Sequence, residues 1–368
     1  MRMSWIKSRA AKESLIILVV SIILLLLVDY FLGYTILKQA PISSRNNAER
    51  GIKIHHPVYH HTLSANYDGL GRNQSEYRFC TNSDGLKSKC GAVSDNKEID
   101  IGFLGDSFTE GLGLPYEKTF VGLIAEKLPG KKIANLGAAS YSPSIYYLKL
   151  KDFLENGYKF NEVIVYIDIS DIADEANYVI VDGKVVDTIE NTGKQKMFPL
   201  VNFGLKGLQD RLISAFGIMH HDYHVDYLDL SDPVYQSNFR RAAWTFDDRN
   251  EGYGKLGVKG SIDKSIEVMQ KLYDLCKTNN IKLSIGVYPW PNQILYDIEE
   301  SNQVKIWRNF CTNKCMNFYN SFPTFFDLVK STSKKEVINN NFFHGDMHFN
   351  ENGNQLIAAD FLKTYKSN

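Results

Sequence analysis

The stretch IGFLGDSFTEG, residues 101–111, places Ser107 and Glu110 at the S-x-x-E spacing of a helix capping box, in which a hydroxyl and a carboxylate satisfy two orphan N–H donors. Ser107 also directly follows the β-rich run IDIGFLGD, and Gly111, Gly113 and Pro115 interrupt the helix that such a box would introduce. At the carboxyl end of a parallel strand, beside helix N–H groups, a serine hydroxyl is placed to attack a carbonyl while an oxyanion forms nearby. That chemistry needs a base and a group that orients it. Asp346 and His348 supply both types in FFHGDMHFNENGN, ahead of a last amphipathic helix with Leu356, Ile357, Phe361 and Leu362 as its expected buried stripe. Gly137 follows the run KIANL, where the lack of a Cβ lets a backbone N–H approach a ligand.

The elements that must position these residues follow from periodicity. From Glu98 onward, short β-rich runs (IDIGFL, KIANL, EVIVYIDI, IKLSIGVYP) alternate with helical patterns near 117–128, 143–156 and 261–279. Such alternation predicts βαβ units in an α/β fold, a three-layer sandwich around a parallel sheet. The rhythm stops over an insertion at about 175–260. There YVIVDGKVVD predicts a hairpin turning at Asp182 and Gly183, and LKGLQDRLISAF predicts an amphipathic helix.

Ahead of the domain at 98–368, the chain reads as a tail (1–14), an apolar span (15–37) and a turn-rich stalk and lead-in (38–97). The span is long enough to cross a bilayer core, about 35 Å at 1.5 Å per residue. Arg2, Lys7, Arg9 and Lys12 precede it, which predicts an uncleaved anchor with a cytoplasmic N-terminus and a periplasmic or extracytoplasmic domain. An oxidising compartment fits two local cysteine pairs, Cys80 with Cys90 and Cys311 with Cys315, leaving Cys276 as a buried thiol. The 368 residues carry 42 basic and 42 acidic side chains, and no basic stripe calls for nucleic acid.

In their order along the chain, GDSFTEG, NLGAASYSPS, DISD and DMH resemble the four blocks of the SGNH (GDSL-type) hydrolases, over residues 100–350. The resemblance implies the flavodoxin-like SGNH fold and the roles of nucleophile for Ser107, general base for His348 and orienting acid for Asp346. It implies an oxyanion hole from Ser107, Gly137 and the third block. In that block Ser170 stands where the family usually has asparagine, so a single hydroxyl replaces an amide. Asp346 lies two residues before His348 where most of the family has three. This D-x-H form is similar to SGNH-like proteins of bacterial exopolysaccharide acetylation.

The resemblance therefore implies an esterase removing O-acyl groups, O-acetyl first among them, from an envelope or exported glycan. Its alternatives are an O-acyltransferase served by a membrane acyl-donor protein at the bacterial inner membrane, and a non-catalytic glycan-binding scaffold. No cofactor or metal is implied; His344 beside Asp346 and His348 reads as a loop histidine. Asp171 and Trp290 are candidate substrate contacts, Trp290 by stacking on a sugar ring or else as a structural aromatic between Pro289 and Pro291. Asp168, Asp171 and Asp174 read as a carboxylate row that caps and solvates a helix start, with Asp171 also a candidate brace of the active-site loop. The four histidines of HHPVYHH (55–61) read as surface or packing residues, and NQS at Asn73 matters only as a eukaryotic glycosylation sequon.

Overall fold

The computed structural model describes residues 9–38, 51–92, 96–188, 241–246 and 253–365. The chain divides into two units. In the first, helix α1 (Arg9–Lys38) forms over the apolar run, with side chains described for 12–28 and exposed almost throughout. Among the described residues no helix is long and apolar enough to cross a membrane.

The second unit begins with two antiparallel hairpins. One joins β1 (Lys53–His56) to β2 (His60–Leu63), the other β3 (Asp68–Arg72) to β4 (Glu76–Cys80). Ile52, Tyr59, Leu63, Tyr77 and Phe79 from this segment are buried in the same core as the main sheet. The chain continues through β5 (Glu98–Leu104), α2 (Ser107–Glu110), α3 (Phe120–Lys127), β6 (Ile133–Asn135), α4 (Pro143–Glu155), β7 (Lys159–Tyr166) and α5 (Asp171–Glu175). A small hairpin, β8 (Tyr178–Val181) with β9 (Lys184–Asp187), turns at Asp182 and Gly183. Both carry positive φ, as a two-residue hairpin turn requires. The rest comprises α6 (Gly257–Thr278), β10 (Lys282–Val287), α7 (Pro291–Tyr296), α8 (Asn302–Cys311), β11 (Phe318–Asn320), α9 (Phe322–Ser331), α10 (Lys334–Asn341) and α11 (Glu351–Thr364).

The main sheet has five parallel strands in the order β11-β10-β7-β5-β6. From β5 the chain steps to β6 at one edge, then returns past β5 to β7 and moves outward. The order therefore reverses between β5 and β7, the crevice in which open α/β sheets bind ligands. Helices cover both faces, so the strands are near-continuous apolar runs: Phe103, Leu104, Ile164, Val165, Tyr166 and Ile285 are fully buried. Strand β11 was not expected, because FYN has no β-branched residue and stands among polar residues, whereas the equally short β6 lies within the run KIANL. The helix expected at 205–216 lies outside the described residues.

Both cysteine pairs are disulfides and Cys276 is a buried free thiol. The expected stripe of the last helix is fully buried at Ile357 and Phe361 and only partly at Leu356 and Leu362. Glu175 joins α5 to the start of α4. Its fully buried carboxylate accepts from Ser142 Oγ (2.7 Å), Ser144 N (2.9 Å) and Ser144 Oγ (2.5 Å), with Lys264 Nζ 3.3 Å away. Glu175→Ala strands the serine donors, while the Lys264 ammonium keeps Glu175 O and Tyr178 O as acceptors, and is expected to cost about 1–3 kcal/mol, read as a lower urea midpoint at unchanged slope.

Candidate active site

The tip of β5 decides between cap and nucleophile. The cap of α2 is Asp106, whose Oδ1 accepts from Phe108 N at 3.0 Å, and Ser107 is the first helical residue. Glu110 does not reach back; its Oε2 accepts from Ala139 N at 2.8 Å and ties the turn to the loop after β6. The capping box is thus not formed, which leaves the Ser107 hydroxyl for another partner. Gly105 permits the tight strand-to-helix turn, since a Cβ there would lie 2.0 Å from Thr109 Oγ1.

That partner is His348. Its Nε2 lies 2.8 Å from Ser107 Oγ, and its Nδ1 lies 2.7 Å from Asp346 Oδ1. A tight loop fixes the spacing: Phe343 N donates to His348 O (2.9 Å), Asp346 N to Phe343 O (3.1 Å), and Phe342 pairs with Phe349 below. Within it, His348 N donates to Asp346 Oδ1 at 3.2 Å, so one carboxylate oxygen holds both ring and backbone of its neighbour. The two-residue spacing therefore brings acid and base together. The Phe108 ring centroid lies 4.8 Å from that of His348 and fixes the imidazole from the side.

The electrostatics follow from burial and pairing. Burial pulls the His348 imidazole down, but the adjacent Asp346 carboxylate outweighs it, and the net pKa lies above the ordinary histidine value. Burial would raise Asp346, yet His348, the Asn73 amide and the His348 N–H together bring it down to about 2. Asp106, buried and facing Asp168, is pushed up to about 8. Asp168 and Asp171 are raised as well, first by burial. Oxygens of these three buried carboxylates lie within 4.8 Å of one another.

Several expected roles are corrected. Ser170 Oγ donates to Asp168 Oδ1 at 2.5 Å, and a hydroxyl has one proton to give, so Ser170 is not an oxyanion donor in this arrangement. Gly137 N donates to Asn135 Oδ1 at 3.0 Å, so its single N–H is committed too. The glycine itself is required by packing, because a Cβ would lie 2.8 Å from Thr109 Cβ and Glu110 N. Of the expected oxyanion donors, Ser107 N alone donates to no group among the described residues. Trp290 is 1% exposed, with its Nε1 donating to Asp168 Oδ2 at 2.5 Å, and a buried indole offers no face to a sugar. Asp171 is fully buried and accepts from Asp168 N (3.1 Å) and Tyr146 OH (2.7 Å), so it braces the loop instead of meeting substrate. Asp168 and Asp171 are therefore not solvated, and only Asp174 keeps some exposure, paired with Arg241 at 2.8 Å. Among the described residues, His344 does not join a metal-ligand group with Asp346 and His348. His60 and His61 are buried in β2, where His61 Nε2 lies 2.8 Å from Ala139 O.

Two positions escaped sequence reasoning. Asn73, at the tip of the β3–β4 hairpin, donates from Nδ2 to Asp346 Oδ2 at 3.0 Å. Lys149 is 1% exposed and donates to Leu136 O (2.9 Å), which steadies the residue before Gly137; burial lowers its ammonium to about 7. A lysine in a helical pattern reads as a solvated residue, so nothing local marked it.

Ser170→Ala is expected to lower kcat/KM by less than tenfold, because its hydroxyl is tied to Asp168. A loss of 10²-fold or more, the size of a missing oxyanion donor, would show that the hydroxyl turns toward substrate.

No family model and no curated protein matches the chain. Solved structures do. A lipolytic protein of the G-D-S-L family from Veillonella parvula aligns at 14% identity and a TM-score of 0.39, over 72% of this chain and 97% of its own. Axe2, an acetylxylan esterase from Geobacillus stearothermophilus, aligns at 10% identity and a TM-score of 0.40, over 73% and 95%. A G-D-S-L lipolytic protein from Desulfitobacterium hafniense aligns at 10% and 0.38, over 73% and 100%. At these scores the superpositions are loose, and what the site can do rests on its own hydrogen bonds.

Proposed function

We propose that this chain is a serine esterase of SGNH type that removes O-acyl groups from a glycan through an acyl-serine intermediate. The observation that carries the reading is the continuous chain Ser107 Oγ–His348 Nε2 and His348 Nδ1–Asp346 Oδ1, at 2.8 and 2.7 Å. His348 takes the hydroxyl proton as Ser107 Oγ bonds to the ester carbon, and Asp346 supports the imidazolium so formed. Collapse of the tetrahedral intermediate breaks the bond to the sugar oxygen, which leaves with the proton from His348. Water, deprotonated by the same imidazole, then releases the acid and restores the serine. A transferase shares the first half of this sequence and replaces water with an acceptor hydroxyl.

An envelope or exported glycan as substrate, anchoring to the bacterial inner membrane through 15–37 and an extracytoplasmic domain belong to the same proposal. They are supported by the apolar run with its preceding basic residues and by two disulfides, which persist in oxidising compartments.

The test is p-nitrophenyl acetate turnover by the full chain, with and without an acetylatable oligosaccharide, beside His348→Ala. Hydrolysis by water that the variant loses supports the esterase; acetyl appearing on the sugar favours the transferase. No turnover of either kind would leave a substrate too specific for a surrogate ester, or a scaffold, the reading that the committed Gly137 and Ser170 donors favour. Since the base must be unprotonated, kcat/KM should fall on the acid side with a limb displaced upward from 6.5, the ordinary histidine value, because the pKa of His348 is raised. A limb that Asp346→Asn leaves in place would show that His348 is not the titrating base.

A further inference from the structure

The acid of the site is held from both sides, and one side comes from outside the α/β sheet. Asp346 Oδ1 faces His348, while Oδ2 accepts from Asn73 Nδ2, a residue 273 positions earlier in the chain. Next to it, Gln74 Nε2 donates to His344 O, so two of the three residues at the tip of the β3–β4 hairpin grip the loop that carries acid and base. Residues 51–92 are thus more than a lead-in to the sheet: their hairpin closes the hydrogen-bond chain that starts at Ser107.

We infer that Asn73 is a positioning residue, which donates a hydrogen bond to Asp346 and thereby aims its other oxygen at His348. The inference rests on the esterase reading for its kinetic consequence, though not for its geometry. A carboxylate can rotate about its terminal bond. With Oδ2 anchored by a neutral amide, Oδ1 stays on the His348 Nδ1–H, and the Nε2 lone pair stays toward Ser107. Without the anchor, a buried charged oxygen lacks its donor and the carboxylate can swing toward another one, which releases the ring. The role needs a donor, and shape alone does not supply it. Asparagine and aspartate are nearly isosteric, but an aspartate at 73 would set one carboxylate against another.

The experiment uses the full chain with Asn73→Ala and Asn73→Asp. It reads kcat and KM for acetyl-ester hydrolysis, thermal midpoint, and the low-field proton resonance of the His348–Asp346 hydrogen bond, assigned by its loss in His348→Ala. Both variants are expected to lower kcat by roughly 10- to 100-fold, the range of a hydrogen bond to a charged group, with KM within about twofold. Asn73→Asp should fall at least as far as Asn73→Ala, and the low-field resonance should shift or broaden in both. Wild-type kcat and an unmoved resonance in both variants would overturn the inference while leaving the esterase reading intact. Loss in Asn73→Ala alone, with Asn73→Asp like wild type, would mean packing and would overturn it too. If the wild-type chain turns over no ester, the esterase reading fails, and the resonance still decides what Asn73 does.

Discussion

Ser107→Ala is expected to lower acetyl-ester hydrolysis by roughly five orders of magnitude while leaving the thermal midpoint unchanged, because the attacking atom is removed and little else is. The hydroxyl makes two contacts, 2.8 Å to His348 Nε2 and 3.2 Å to Asp106 Oδ2, and neither holds the backbone. The cap of α2 belongs to Asp106, so the helix start survives the substitution. If Ser107 were only a capping hydroxyl, the variant would lose stability, about 1 kcal/mol, and keep its activity. The two readings thus predict opposite pairs of outcomes, and initial rates beside a melting curve separate them. A variant within tenfold of wild type would exclude an acyl-serine on this residue.

Asp346→Asn is expected to lower kcat by about 10³–10⁴-fold, for a reason visible in the donors around it. Both oxygens of Asp346 accept: Oδ1 from His348 N and Nδ1, Oδ2 from Asn73 Nδ2. An amide has one acceptor and one donor end, so neither orientation suits the site. With its NH2 toward His348, Nδ1 must become an acceptor; the proton then moves to Nε2, which can no longer take one from Ser107. With its NH2 toward Asn73, two donors face each other, and the charge that supported the imidazolium is gone in either case. The acid limb of kcat/KM should also move down, since the carboxylate that raises the pKa of His348 most is lost and burial then works against only Asp106 and Asp168. Stopped-flow rates across pH would show both effects. A variant with unchanged kcat would mean that His348 is oriented by something else.

The orders of effect differ along the chain of contacts. On the proposed reading Ser107 owns the reacting atom, Asp346 acts through His348 and Asn73 through Asp346, with expected losses falling at each remove. A double variant of Asp346 and Asn73 should lose less than the two single losses combined, because both act on one hydrogen-bonded unit.

Much of the site is written in local pattern. GDSFTEG after an apolar run, and DMH before an amphipathic helix, each announce their place at an element boundary, since strand and helix periods are local properties of the chain. The resemblance carried by the ordered blocks paired Ser107 with His348, which the fold brings together across a separation of 241 residues. Periodicity likewise marked β5, β7, β10, α4 and α6, whose buried faces are long. It missed β11, where FYN stands among polar residues with no β-branched side chain.

What tertiary structure alone decided is which hydrogen bonds each polar group makes, because a donor is satisfied by whatever the fold brings within 3 Å or so. Ser170 has a proton to give, and the fold spends it on Asp168. Gly137 has an N–H, and Asn135 takes it. Trp290, readable from sequence as a sugar platform or as a structural aromatic, is the latter, a buried donor to the same Asp168. Asn73 looked like an incidental sequon; a hairpin 273 residues upstream of Asp346 makes it the acid's second anchor. Residue type and spacing by themselves determined which groups could do chemistry and on which strand ends they stand. Burial and long-range contact determined which of them are free to do it.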